Sequence, residues 1–122
     1  ACGACTVIMD GRPVNSCLVL AVTADGRDVI TADSLGTAQK PHLLQQAFMD
    51  GGAIQCGFCT PGMLMSTKAL LDRTLNPSER EIKEAIDGNI CRCTGYVQII
   101  ESVKEAARRL RKQKKGAGTK KK

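Results

Sequence analysis

The sequence predicts an α+β protein in which a small antiparallel sheet is followed by four short helices. Two observations carry this. Apolar and polar positions alternate over residues 1–33 around the turn signals Asp10-Gly11 and Asp25-Gly26, the pattern of short strands joined by hairpins. Beyond Pro41 the apolar spacing lengthens to the helical period and is punctuated by start and stop signals.

The elements follow in order. Leu43, Leu44, Ala47 and Phe48 share one helical face, and Gly51-Gly52 stops it. Thr60-Pro61 offers an N-cap with Pro at the first helical position, ahead of Met63, Leu64, Ala69 and Leu70. Ser78 with Glu81 forms a capping box before Ile82, Ala85 and Ile86, and Gly88 ends that run. The last helix starts near Thr94 or Tyr96 and shows Val97, Ile100, Val103, Ala107 and Leu110. His42, after Pro41, reads as a surface or capping residue, and Met49, Met63 and Met65 as gap fillers in the core.

Three aromatic residues and no Trp in 122 residues leave a thin core, so part of the stability is expected from something other than protein. Seven cysteines make metal the candidate, and an odd number cannot close into disulfides within one chain. No apolar run approaches a membrane span and the first residues show no leader pattern. The expectation is a soluble, cytoplasmic protein with reduced or metal-bound thiols.

The net charge of +6 is local. Nine of the eighteen Lys and Arg lie in residues 108–122, whereas all twelve acids precede Arg108. Residues 111–122 therefore read as a basic, disordered tail, and nucleic-acid binding through it is disfavoured.

Cys56-x2-Cys59 and Cys91-x-Cys93 supply four soft thiolates in two close pairs, as zinc or an iron–sulfur cluster requires. The second pair is CxC and the only His lies outside both motifs, which leans towards iron–sulfur. CGFCTPG at 56–62 and CRCTGY at 91–96 form a weak repeat, each placing Cys-Thr before a helix. Two positive helix ends are thus expected to face one anionic cluster. Cys2-x2-Cys5 matches the second and third members of a plant-type C-x4-C-x2-C run, with Cys17 beyond. On this reading one ligand lies before Ala1. For Cys17, within the apolar SCLVL, an inert core thiol is the rival reading. Arg92, inside the CxC, either raises the potential of a cluster or faces solvent or a partner.

CGACTV at 2–7, Cys17 beyond the Asp10-Gly11 turn, AIQCGFCTPGM at 53–63 and GNICRCTGY at 88–96 together resemble the small subunit of the xanthine dehydrogenase, aldehyde oxidoreductase and carbon monoxide dehydrogenase family of molybdenum hydroxylases. The likeness spans about Cys2 to Arg109. It implies the C-terminal part of a β-grasp, [2Fe-2S] ferredoxin-like domain at residues 1–36. A four-helix [2Fe-2S]-binding domain would follow at 37–110. By the same likeness Cys2, Cys5 and Cys17 would hold one cluster, incomplete in this chain as written, and Cys56, Cys59, Cys91 and Cys93 the other. Gln55 would hydrogen-bond the pterin of a molybdopterin cofactor, and Cys93 would bridge cluster and pterin.

The resemblance further implies an electron-transfer subunit with no catalytic residue of its own. Electrons would pass from the molybdopterin centre through two [2Fe-2S] clusters towards FAD. Expected partners are a large molybdopterin-binding subunit and an FAD-binding medium subunit, in a heterotrimer or its dimer. The alternative is a zinc-stabilised binding module whose basic tail contacts nucleic acid.

Overall fold

The structure, a computed structural model, describes residues 1–120, with side chains through Lys115. Three strands form one antiparallel sheet: β1 Thr6–Met9, β2 Arg12–Asn15 and β3 Val29–Ile30, in the order β2-β1-β3. Val7 lies opposite Val14, and Ile8 opposite both Pro13 and Ile30. The expected hairpin at Asp10-Gly11 is present, with both turn residues at positive φ (50° and 83°), as a type I′ connection requires. The Asp10 carboxylate then accepts the Asp28 N–H at 3.0 Å, which draws β3 alongside β1.

The second hairpin does not form. Residues Ser16–Leu18 and Ala21–Ala24 are 3-10 turns, and Asp25-Gly26 leads from the second of these into β3. Hydroxyls redirect the backbone here. Ser16 Oγ donates to the Cys5 carbonyl at 2.8 Å, and Thr23 Oγ1 donates to the Leu20 carbonyl at 2.6 Å. The apolar alternation is therefore not buried: Leu18, Leu20 and Val22 are 69%, 71% and 77% exposed.

Four helices follow: α1 Leu43–Asp50, α2 Thr60–Arg73, α3 Glu79–Ile86 and α4 Val97–Lys120. His42 caps α1. Its Nδ1 accepts the Leu44 N–H at 3.1 Å, while Gln45 Oε1 accepts the His42 N–H at 2.8 Å. The Ser78/Glu81 capping box closes α3 in both directions, each bond 3.1 Å. Phe48 and Leu44 of α1, Met63 of α2, Ile82 of α3 and Ile99 and Val103 of α4 fill one core without solvent contact. On the far side of α2, Met65 and Ala69 meet Ile8, so this one helix carries both the sheet and the bundle. Met49, expected as a filler, is instead half exposed at the end of α1.

Helix α4 continues through Lys120, so residues 111–120 are helical where a disordered tail was expected. Lys121 and Lys122 lie outside the described residues. Lys, Arg and Gln are good helix formers and suit a helix C-terminus. The helix is also tied down. Arg109 pairs with Glu105 at 3.0 Å and with Asp50 at 2.9 Å, and Arg111 Nη1 donates to the Leu75 carbonyl. Among the described residues no helix is long and apolar enough to cross a membrane.

Candidate metal centre

Cys56 and Cys59 flank a turn at Gly57, whose φ of +86° returns the chain into α2. Cys59 takes the cap position expected for Thr60, and Pro61 still falls in the first turn, where its missing N–H leaves no bond unmade. Cys91 and Cys93 come from the segment between α3 and α4, which Gly95 and Tyr96 bend back through two consecutive positive φ values (69° and 72°). The two motifs converge. All four cysteines line one cavity of about 230 Å³, together with Cys2, Phe58 and Ile90.

The thiols meet in pairs drawn one from each motif: Cys59 with Cys91, and Cys56 with Cys93. No three His, Cys, Asp or Glu side chains among the described residues are gathered as tightly as a single metal ion would require. Burial, and then donation to the Cys91 sulfur, push the Cys59 thiol up to about 11. Burial also raises Cys91, but hydrogen bonds from the Thr94 hydroxyl and N–H, and from Cys59, outweigh it and bring this thiol down to about 7. The Cys93 thiol is raised by donating to Cys56. Buried Cys59 and Cys91 thus form the inner pair, and exposed Cys56 and Cys93 the outer one. Of the two expected helix starts, α2 reaches the cavity through Cys59. Val97, at the start of α4, lines a different cleft beside Lys83 and Asp87.

A short relay behind Cys91 has no signal in the sequence beyond the presence of its residues. Tyr96 N–H donates to Thr94 Oγ1 at 3.1 Å, the Thr94 hydroxyl donates to Cys91 Sγ at 3.2 Å, and the Tyr96 hydroxyl accepts the Cys91 N–H at 2.9 Å. These bonds hold the left-handed Tyr96, a conformation unfavourable for a residue with a Cβ. A hydrogen bond to a ligating sulfur favours the more negative, reduced state of a cluster. With Cys91 as the cluster ligand its motif predicts, Thr94→Val is expected to lower the midpoint potential by about 50 mV, the one-electron equivalent of roughly 1 kcal/mol, read by redox titration.

The first cysteine group also gathers. Cys17 N–H donates to Cys5 Sγ at 3.4 Å, the largest cause of the lowered Cys5 thiol, while Cys17 is raised by donating to Cys5 in turn. Cys17 is exposed, which removes the core-thiol reading. Cys2 stands between the groups. Its side chain lines the cavity of the quartet and its carbonyl accepts the Ile90 N–H at 2.8 Å.

Gln55, next to Cys56, and Arg92, inside the CxC, are both exposed, and Arg92 lines the cavity. Thr60 has a buried hydroxyl without a partner among the described residues, immediately after Cys59. Four thiols at one cavity are a donor set that a [2Fe-2S] cluster can take, as zinc can.

Residues 31–104 match the sequence model of the [2Fe-2S] binding domain. The chain belongs to the [2Fe-2S] binding-domain family, as found in the iron–sulfur subunits of molybdenum hydroxylases. It is 51% identical over 108 residues to the nicotinate dehydrogenase small FeS subunit of Eubacterium barkeri, spanning 88% of this chain and 69% of the relative. Quinoline 2-oxidoreductase from Pseudomonas putida 86 contains a chain 46% identical with a TM-score of 0.80, covering 88% of this chain and 70% of its own. Aldehyde oxidoreductase from Desulfovibrio gigas superposes with a TM-score of 0.88 at 38% identity, over 92% of this chain and 13% of that longer one.

The fold of this [2Fe-2S] family member, a small sheet followed by four helices, is the one expected of a ferredoxin-like portion joined to a helical cluster-binding domain. Its relatives are subunits of oxidoreductases, and a zinc-stabilised nucleic-acid module finds no support among them.

Proposed function

We propose that this iron–sulfur protein is the electron-transfer subunit of a molybdenum hydroxylase, passing electrons from the molybdopterin centre through two [2Fe-2S] clusters towards a flavin. The observation that carries the reading is the convergence of Cys56, Cys59, Cys91 and Cys93 on one cavity, with Cys56 beside Cys93 and Cys59 beside Cys91. A two-iron cluster takes two thiolates on each iron, and each of these pairs would hold one of them. Cys2, Cys5 and Cys17 are assigned to the other cluster. When bound, each cluster accepts and releases one electron at a time.

The chain's own residues hold, insulate and tune. Buried Cys59 and Cys91, with Thr94 and Tyr96 behind them, set the inner side of one centre, while exposed Cys93 and Gln55 present its outer side to the pterin of a large molybdopterin-binding subunit. The Gln55 side chain has no hydrogen-bond partner within the chain among the described residues, which suits an external one. Bond-making chemistry is assigned to that large subunit and FAD to a medium subunit, in a cytoplasmic heterotrimer or its dimer. Residues 1–36 and 37–110 serve as the ferredoxin-like and helical parts. The assignment is tested on the protein isolated with its native partners. Iron, acid-labile sulfide and two distinct paramagnetic resonance signals on reduction are expected, and a colourless protein carrying zinc would overturn it.

A further inference from the structure

The two thiol groups are joined by a buried clamp that neither motif announces. Asn89 is only 4% exposed and uses its whole side chain. Its Nδ2 donates to the Gly3 carbonyl at 3.1 Å and lies 3.4 Å from Thr6 Oγ1, while its Oδ1 accepts the Ser66 hydroxyl at 2.7 Å. One amide thereby ties the Cys2–Cys5 loop, α2 and the loop carrying Cys91. The contact leaves no slack. A Cβ on Gly3 would meet Asn89 Nδ2 and the Gly88 carbonyl oxygen at 2.5 Å. Beside this clamp the Ile90 N–H donates to the Cys2 carbonyl at 2.8 Å.

We propose that Asn89 is a positioning residue for electron exchange between the two cluster sites. By donating its Nδ2 to the Gly3 carbonyl it holds the Cys2–Cys5 loop so that the Ile90 N–H stays on the Cys2 carbonyl. Cys2, Ile90 and Cys91 then form a bond-mediated route interrupted by a single hydrogen bond. The inference rests on the ligand assignments above. In the step, one electron leaves the reduced centre, which is oxidised by one unit, and reaches the other, which is reduced by one unit; no proton or bond is exchanged. A hydrogen bond couples two groups better than a van der Waals gap, so the rate and the bond-mediated exchange part of the magnetic interaction both depend on this bond remaining closed.

The test compares Asn89→Asp and Ser66→Ala in the complex with its native partners, reduced with dithionite. Asp keeps the acceptor for Ser66 and loses the donor to Gly3, whereas Ser66→Ala spares that donor. Asn89→Asp is expected to retain iron and both cluster signals but to show a smaller spin–spin splitting and slower electron exchange between them, with faster deuterium uptake in the peptide containing Ile90. Ser66→Ala is expected to keep the splitting. Unchanged splitting in Asn89→Asp, or loss of iron from it while Ser66→Ala stays loaded, would overturn the proposal. Absence of two signals in the unmodified complex would instead overturn the ligand assignment itself.

Discussion

Substituting Ala for Cys93 is expected to abolish one of the two [2Fe-2S] resonance signals and leave the other unchanged. Cys93 suits this experiment because it is exposed and its thiol contact is with Cys56, at the outer side of the cavity. Removing it takes little from the core, so the chain should keep its fold and the Cys2, Cys5 and Cys17 group its geometry. One iron, however, would be left with a single thiolate, too few to retain the cluster. The corresponding change at Cys59 would be harder to read, because that side chain is 8% exposed and packs in the core with Leu64 and Ile99. Retention of both signals in Cys93→Ala would remove Cys93 from the ligand set.

The largest effect on stability is expected from Gly62→Ala. At an ordinary helix position this exchange stabilises by about 0.5–1 kcal/mol. Here the added Cβ would lie 2.0 Å from the Gly3 carbonyl oxygen and 3.0 Å from Asn89 Nδ2. The first of these is backbone and cannot rotate away, so the Cys2–Cys5 loop must lift from α2. The expected outcome is a net loss of about 2–4 kcal/mol in urea unfolding, a sign opposite to helix propensity. Gly88→Ala provides the comparison, since nothing lies within 4 Å of its Cβ position and its φ is not positive. It should change stability by less than about 0.5 kcal/mol. A Gly62→Ala protein as stable as the unmodified one would show that the loop does not rest on α2.

Local signals carried much of the fold. Asp10-Gly11, the Ser78/Glu81 box and the His42 cap each act within a few residues, so the chain states them directly. The two cysteine motifs are legible for the same reason, being short, and the fold brings both to one cavity. What escaped depends on contacts distant in sequence. Asn89 and Gly3 are 86 positions apart, and no pattern in either neighbourhood indicates that they touch. The alternation through Leu18, Leu20 and Val22 is real, yet alternation describes polarity and cannot say whether anything covers the apolar side. Phe58, one of only three aromatic residues, is 76% exposed beside the cysteine cavity, a placement that composition does not reveal. The helical extension of α4 past Leu110 depends on Asp50 and Leu75, which no tail composition reveals.

The pairing of thiols across motifs also bears on how the chain matures. On the proposed assignment each pair takes one sulfur from either side of the 31 residues between Cys59 and Cys91, so neither motif alone would seat half of a cluster. Loading must wait until α2 and α3 have folded back and brought the intervals together. Once seated, the inorganic core becomes a cross-link around that helical hairpin, and by the chain-entropy treatment used for disulfides such a closure disfavours the unfolded ensemble by roughly 3–4 kcal/mol. Assembly and stability are therefore reciprocal: the hairpin templates its own staple, and chelation of the iron should leave a chain that unfolds more readily than the loaded one.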